Sequence, residues 1–180
     1  MLTCLSVRNL AIVESADVEF GAGLTVITGE TGAGKSVLMG ALELVLGARA
    51  DASTVRDGAK EARIEAEFQV EGSRLKVEGA GTIDDFLAEA GLPLCEDGVL
   101  IVRRTISATG GGRVHVNNAA STVQTLRALG KLLVDVHGPN DHQSLLEESF
   151  QRSVLDASGR IGAKDYATAW TTLSDIRAKL

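Results

Sequence analysis

The chain has 180 residues and a formal net charge of −6, with 44% hydrophobic, 23% charged and 3% aromatic residues. That is enough for one ordinary domain, or a domain with an extension, whose core must be built from Leu, Val, Ile and Ala. The acidic balance gives no global electrostatic case for nucleic acid. The two cysteines, Cys4 and Cys95, show neither metal spacing nor a disulfide framework, which points to a reducing compartment.

In chain order, the first eight residues lack a basic segment followed by an apolar core, so no signal peptide is expected. Alternation over residues 5–7 and 13–20 predicts two strands joined near Asn9 and Leu10. Residues 24–28, Leu-Thr-Val-Ile-Thr, read as a buried strand. They lead into Gly29-Glu30-Thr31-Gly32-Ala33-Gly34-Lys35-Ser36, the G-x-x-x-x-G-K-S pattern of a phosphate-cradling P-loop. Its glycines let backbone amides close around a polyphosphate, and the helix that follows turns its positive end to the same place. Lys35 has the reach for the β- and γ-phosphates, and the Ser36 hydroxyl is a ligand for Mg²⁺. Residues 37–46 are apolar almost all round, as in a helix buried against a parallel sheet. Glu43 interrupts them well short of a membrane span.

A polar loop at residues 47–60 holds Arg49 and Arg56-Asp57-Gly58. Residues 63–70 alternate as a half-exposed strand, and residues 82–90 read as a short helix ended by Gly91. Residues 99–104 and 113–116 flank Gly110-Gly111-Gly112 as a hairpin. Ser121 caps a predicted helix reaching Leu129, and residues 132–136 form another predicted buried strand, running into a polar loop at residues 137–143. From Ser149 the chain is helix-compatible, with Tyr166, Ala169, Leu173, Ile176 and Leu180 at heptad spacing. That pattern fits either one amphipathic helix or the root of a coiled coil. The expected organisation is a domain at residues 1–148 and a helical segment at 149–180.

A complete P-loop ATPase also needs a carboxylate for Mg²⁺ at the end of an apolar strand. No stretch reads four apolar residues followed by Asp-Glu. The best internal candidate is Asp135, which leaves open a self-contained P-loop kinase or NTPase. His137 and His142 with Asp135 and Asp141 raise a zinc reading, but the His-x₄-His spacing matches no common site. A loop lining a nucleotide pocket accounts for the same polarity.

Further motifs accompany the P-loop: the opening Leu5-Ser6-Val7-Arg8-Asn9-Leu10-Ala11-Ile12, then Val55-Arg56-Asp57-Gly58, Arg103-Arg104, Gly112-Arg113 and Val116-Asn117. Asp135-Val136-His137-Gly138 and Asp141-His142-Gln143-Ser144-Leu145-Leu146 are the more specific signals. On these residues essentially the whole chain resembles the N-terminal half of the RecN family, SMC-like ATPases of bacterial DNA double-strand break repair.

The resemblance implies an α/β fold, the P-loop NTPase lobe of an ABC/SMC-type head with a mixed sheet around the P-loop helix. A C-terminal helix would start a coiled-coil arm. It implies ATP and Mg²⁺ as ligands, with residues 29–36 binding nucleotide, Lys35 and Gln143 catalytic, and Ser36 and Gln143 at the metal. Gln143 stands as the Q-loop residue, with a plain surface glutamine as the alternative; Pro139 stands where relatives usually have Gln. Arg56 resembles the arginine that SMC-type heads place near phosphates or DNA, against a solvated loop arginine. Arg8 and Asn9 edge the nucleotide or simply end a strand. The implied partners are double-stranded DNA ends, the protein's own C-terminal half with its Leu-Ser-Gly-Gly signature and Asp-Glu strand, and a second head in a homodimer. Neither of those C-terminal motifs occurs here. The implied location is the cytoplasm, at the nucleoid, with no membrane partner. Arg103, Arg104, Arg113 and Lys131 would add positive surface for DNA, unless solvated or paired.

Overall fold

The computed structural model describes residues 1–29, 34–70 and 82–134, together with Trp170 and Arg177. Among them, six strands form one sheet: β1 (Leu2–Leu10), β2 (Val13–Glu19), β3 (Glu61–Gln69), β4 (Val99–Ser107), β5 (Gly112–Val116) and β6 (Ala119–Ser121). Their spatial order is β2-β1-β3-β4-β5-β6, and every pairing is antiparallel. The described helices are α1 (Lys35–Val45), α2 (Ile83–Glu89) and α3 (Val123–Leu133).

The period-two patterning sets which face is covered. In β3, Ala62, Ile64, Ala66 and Phe68 are buried, while Glu61, Arg63, Glu65 and Glu67 stay outside the core. The register carries that split across the sheet. Leu5 lies opposite Ala66, Ala66 opposite Val102, and Val102 opposite Val116. Helix α1 packs on β1, β3 and β4, burying Ala41, Leu44 and Val45. Helices α2 and α3 touch each other and bring Ile83, Leu87, Leu126 and Leu129 to the same core.

Local signals explain the element ends. Thr82 caps α2 by accepting from the Asp85 amide at 3.1 Å, and Asp85 accepts from the Thr82 amide at 2.7 Å, a reciprocal capping box. Asn117 and Asn118 turn β5 into β6 with φ of 45° and 64°, a conformation that asparagine tolerates better than most side chains. The Asn117 side chain also accepts from the Ile101 amide and donates to the carbonyls of Pro93 and Leu94.

Four expectations need correction. Residues 24–28 are not a strand here: Leu24 is 91% exposed, Val26 69% and Ile27 42%. A strand needs a neighbour to take its backbone hydrogen bonds, and the described strands pair with one another instead. Leu132 and Leu133 close α3 rather than opening the buried strand expected at residues 132–136, of which Asp135 and Val136 lie outside the described residues. Helix α1 therefore packs on an antiparallel sheet rather than a parallel one. Ser121 belongs to β6; the cap of α3 is Thr122, which accepts from the Thr125 amide at 3.1 Å.

Met1–Val134 forms one compact unit and Asp135–Leu180 another, in which Trp170 and Arg177 are helical and exposed. The heptad positions, the expected boundary at residue 148, and Asp135, His137, Asp141, His142 and Gln143 lie outside the described residues.

Candidate nucleotide site

The G-x-x-x-x-G-K-S segment runs into the start of α1. Gly34 is its N-cap with φ 94° and ψ −9°, a left-handed conformation that strains any side chain. Its carbonyl accepts from the Leu38 amide at 3.0 Å, which begins the helix. No side chain caps α1 and its first turn carries no acidic residue, so the first amides keep their positive end toward the loop. Ser36 is exposed in that turn. The Lys35 ammonium folds back to donate to the carbonyl of Gly29, so the two ends of the P-loop meet. Glu30, Thr31, Gly32 and Ala33 between them lie outside the described residues.

A second cluster forms where the β1–β2 turn docks on residues 54–56. Asn9 has φ 54° and Ala11 φ 47°, and docking holds both. The Ala11 amide donates to Thr54 at 2.7 Å, and the Arg56 amide donates to Asn9 at 2.9 Å. Asn9 and Arg56, expected together at the nucleotide, are thus neighbours. Their side-chain environment is salt-bridged: Arg56 meets Glu14 at 2.6 Å, and Arg8 meets Asp17 at 2.8 Å while donating to Val7 and Ala16. Both guanidiniums are engaged by carboxylates of β2.

Arg103 and Arg113 lie on the charged face of the sheet, paired with Glu65 and Glu61. Arg104 is not surface at all, which corrects its place in a DNA-facing patch. It is 6% exposed and donates to the carbonyls of Leu44 at 2.6 Å and Ala48 at 2.5 Å, at the far end of α1. Burial, then the nearby Arg127, lower its pKa from the ordinary arginine value. The signal was present in the sequence, since Arg104 shares parity with Leu100 and Val102. Among the described residues, no cluster of His, Cys, Asp and Glu suits a metal ion. Cys4 and Cys95 are free thiols, and burial with the Asp84 carboxylate pushes Cys95 up to about 11.

Four exposed carboxylates sit below their usual range. Arg56 holds Glu14 down, the Ser6 hydroxyl and then Arg8 hold Asp17, the Ser53 amide holds Asp51, and the Thr82 amide holds Asp85. Because the folded values lie below the unfolded ones, their stabilisation is present above the unfolded range of about 4 and lost as pH falls through the folded values. Thermal melts should therefore be insensitive to these groups between neutrality and about pH 5, and fall below about pH 4. Asp85→Ala should reduce that acid slope; an unchanged slope would show that the capping box is not ionised in solution.

Residues 4–158 match the family model described as an AAA domain. The chain belongs to the AAA domain family. Over 156 residues it is 38% identical to the DNA repair protein RecN of Bacillus subtilis, covering 87% of this chain and 26% of that protein. With RecN of Streptomyces coelicolor the identity is 41% over 152 residues, 84% of this chain and 25% of the relative. With RecN of Xylella fastidiosa it is 36%, covering 100% of this chain and 32% of the relative. The chain thus spans a quarter to a third of these relatives' length.

Among solved structures, the Smc head domain with a coiled coil and joint from Pyrococcus yayanosii superposes with a TM-score of 0.62 at 18% identity, covering 98% of this chain and 35% of that one. The recombination mediator RecF bound to ATP gives 0.52 at 17%, covering 93% and 40%. This AAA domain therefore has the fold of an SMC-type ATPase head lobe, as expected from its sequence, with antiparallel strands making up the described sheet.

Proposed function

We propose that this chain is the nucleotide-binding lobe of an SMC-like ATPase that acts in DNA double-strand break repair. The observation that carries this reading is the start of α1, where a left-handed Gly34, Lys35 and Ser36 meet an uncapped helix end. The kinship with DNA repair proteins supplies the biological setting.

In this reading the amides of residues 29–36 cradle the phosphates of ATP, and Lys35 exchanges its bond to Gly29 for the β- and γ-phosphates. Charge-assisted contacts of this kind are worth about 1.5–3 kcal/mol each. The Ser36 hydroxyl and Gln143 would hold Mg²⁺, which when bound neutralises charge on the phosphates. Asn9 and Arg56, already joined, would border the nucleotide with Arg8 alongside on β1.

Catalysis needs more than this lobe. Leu24, Val26 and Ile27 expose an apolar run just before the P-loop, which supports a sheet completed by residues from elsewhere in a longer protein. A C-terminal half would bring the Leu-Ser-Gly-Gly signature and the Asp-Glu strand. Two such heads would then sandwich ATP, with the γ-phosphate acting as a ligand for the dimer. Hydrolysis would release the heads, and with them the hold on broken DNA ends. Among the described residues no helix is long and apolar enough to cross a membrane; the proposed place of work is the cytoplasm, at the nucleoid.

The test compares ATP turnover by this chain alone with turnover by the complete protein carrying it. Near-zero turnover alone and recovery with the C-terminal half are expected. Equal turnover in both would reject the shared active site.

A further inference from the structure

The end of α1 opposite the P-loop is held by an unusual joint. Three carbonyls there, those of Leu44, Gly47 and Ala48, accept from two arginines. Arg104 of β4 takes Leu44 and Ala48, and the Arg127 Nε of α3 donates to Gly47 at 2.9 Å. The contact surfaces leave no room for adjustment. A Cβ on Gly47, whose φ is 99°, would stand 2.8 Å from the Arg127 backbone nitrogen, and a Cβ on Gly130 would stand 2.9 Å from the Leu46 carbonyl oxygen. Guanidinium charge at a helix C-terminus is electrostatically favourable, and burial strengthens it. The sequence of α1 supplies no basic residue of its own in its last turn, so these two arginines do that work from other elements.

We infer that Arg104 and Arg127 are positioning residues for the P-loop. An eleven-residue helix is a stiff rod, so fixing its C-terminal end against β4 and α3 fixes the seat of Gly34, Lys35 and Ser36 at the other. Helix α3 in turn leads along the chain directly into the segment that carries Gln143. The joint therefore ties the phosphate-binding helix to the helix that precedes the proposed Q-loop. This rests on the P-loop reading above.

The experiment uses the complete protein, with Arg127→Met, Arg104→Met, Arg104→Lys and the control Lys35→Ala. Each is assayed well below its melting temperature for ATP affinity by calorimetry and for KM and kcat separately. Arg127 is exposed apart from its bonded Nε, so Arg127→Met keeps a folded protein available even if Arg104→Met does not fold. Misplacement of binding groups by a remote change costs up to about 100-fold; for Arg127→Met a loss of about tenfold in ATP affinity is expected, with Arg104→Lys recovering part of the Arg104→Met loss. A lowered melting temperature with unchanged affinity, KM and kcat would overturn the proposal and leave a purely structural joint. If Lys35→Ala also bound ATP normally, the P-loop reading itself would fall; a normal Arg127→Met beside a defective Lys35→Ala would sink only the joint.

Discussion

Lys35→Ala in the complete protein should give a folded molecule that no longer hydrolyses ATP. The side chain bonds the Gly29 carbonyl and takes no part in the buried core, while the helix it begins is nucleated by the Gly34 carbonyl and anchored by Ala41, Leu44 and Val45. Stability should therefore change little. Affinity should not survive, because one charge-assisted contact to phosphate at about 1.5–3 kcal/mol corresponds to a loss of about 10–100-fold. Turnover should fall further, since negative charge builds on the leaving oxygen between the β- and γ-phosphates toward the transition state and a fixed ammonium answers it. Calorimetry with Mg²⁺ and ATP separates the first effect, and phosphate release measures the second. Undiminished turnover would reject the assignment of this loop.

The largest expected loss of stability belongs to Phe68→Ala. Phe68 is 1% exposed on β3, between Leu2 of β1 and Leu100 of β4. Truncating a buried phenylalanine costs about 3–5 kcal/mol, part of it for the cavity left behind. Among the described residues Phe68 is the largest of the fully buried side chains, so its truncation leaves the most space to refill. Against a typical domain stability of about 5–15 kcal/mol, that is a severe change. Urea unfolding reads it directly, and a loss below about 1 kcal/mol would mean that the site collapses freely or that Phe68 is less buried in solution.

Much of the sheet was legible because its strands obey one face rule. Alternation in β3 separates Ala62, Ile64, Ala66 and Phe68 from Glu61, Arg63, Glu65 and Glu67 without ambiguity. The α2 cap at Thr82 and the break at Gly91 were legible for the same reason: each is decided by neighbours in sequence. Short β6 was missed, although Asn117-Asn118 is a two-residue turn signal that points to it. Apolar runs misled where their partners lie elsewhere. Residues 24–28 and 132–136 look alike in composition, yet the first run is exposed and Leu132 and Leu133 of the second finish a helix, because periodicity in so short a run does not separate strand from buried helix. At the candidate site, Gly34, Lys35 and Ser36 open a helix, as the apolar run after the motif led one to expect, while the strand expected before it is not formed. Arg104 was read as surface charge because charge alone suggests solvent; its position in the β4 alternation says otherwise.

The pairing of the strands also bears on the order in which such a protein comes together. The six described strands come from residues 2–121, and among the described residues each bonds to antiparallel neighbours from that stretch. At about 5–20 residues per second on the ribosome, the last of them is made within roughly half a minute of the first. A lobe that pairs these six strands this early is a template for segments synthesised later. Segments translated later have a formed surface to land on, and the exposed apolar run of Leu24, Val26 and Ile27 is the part of it that awaits cover.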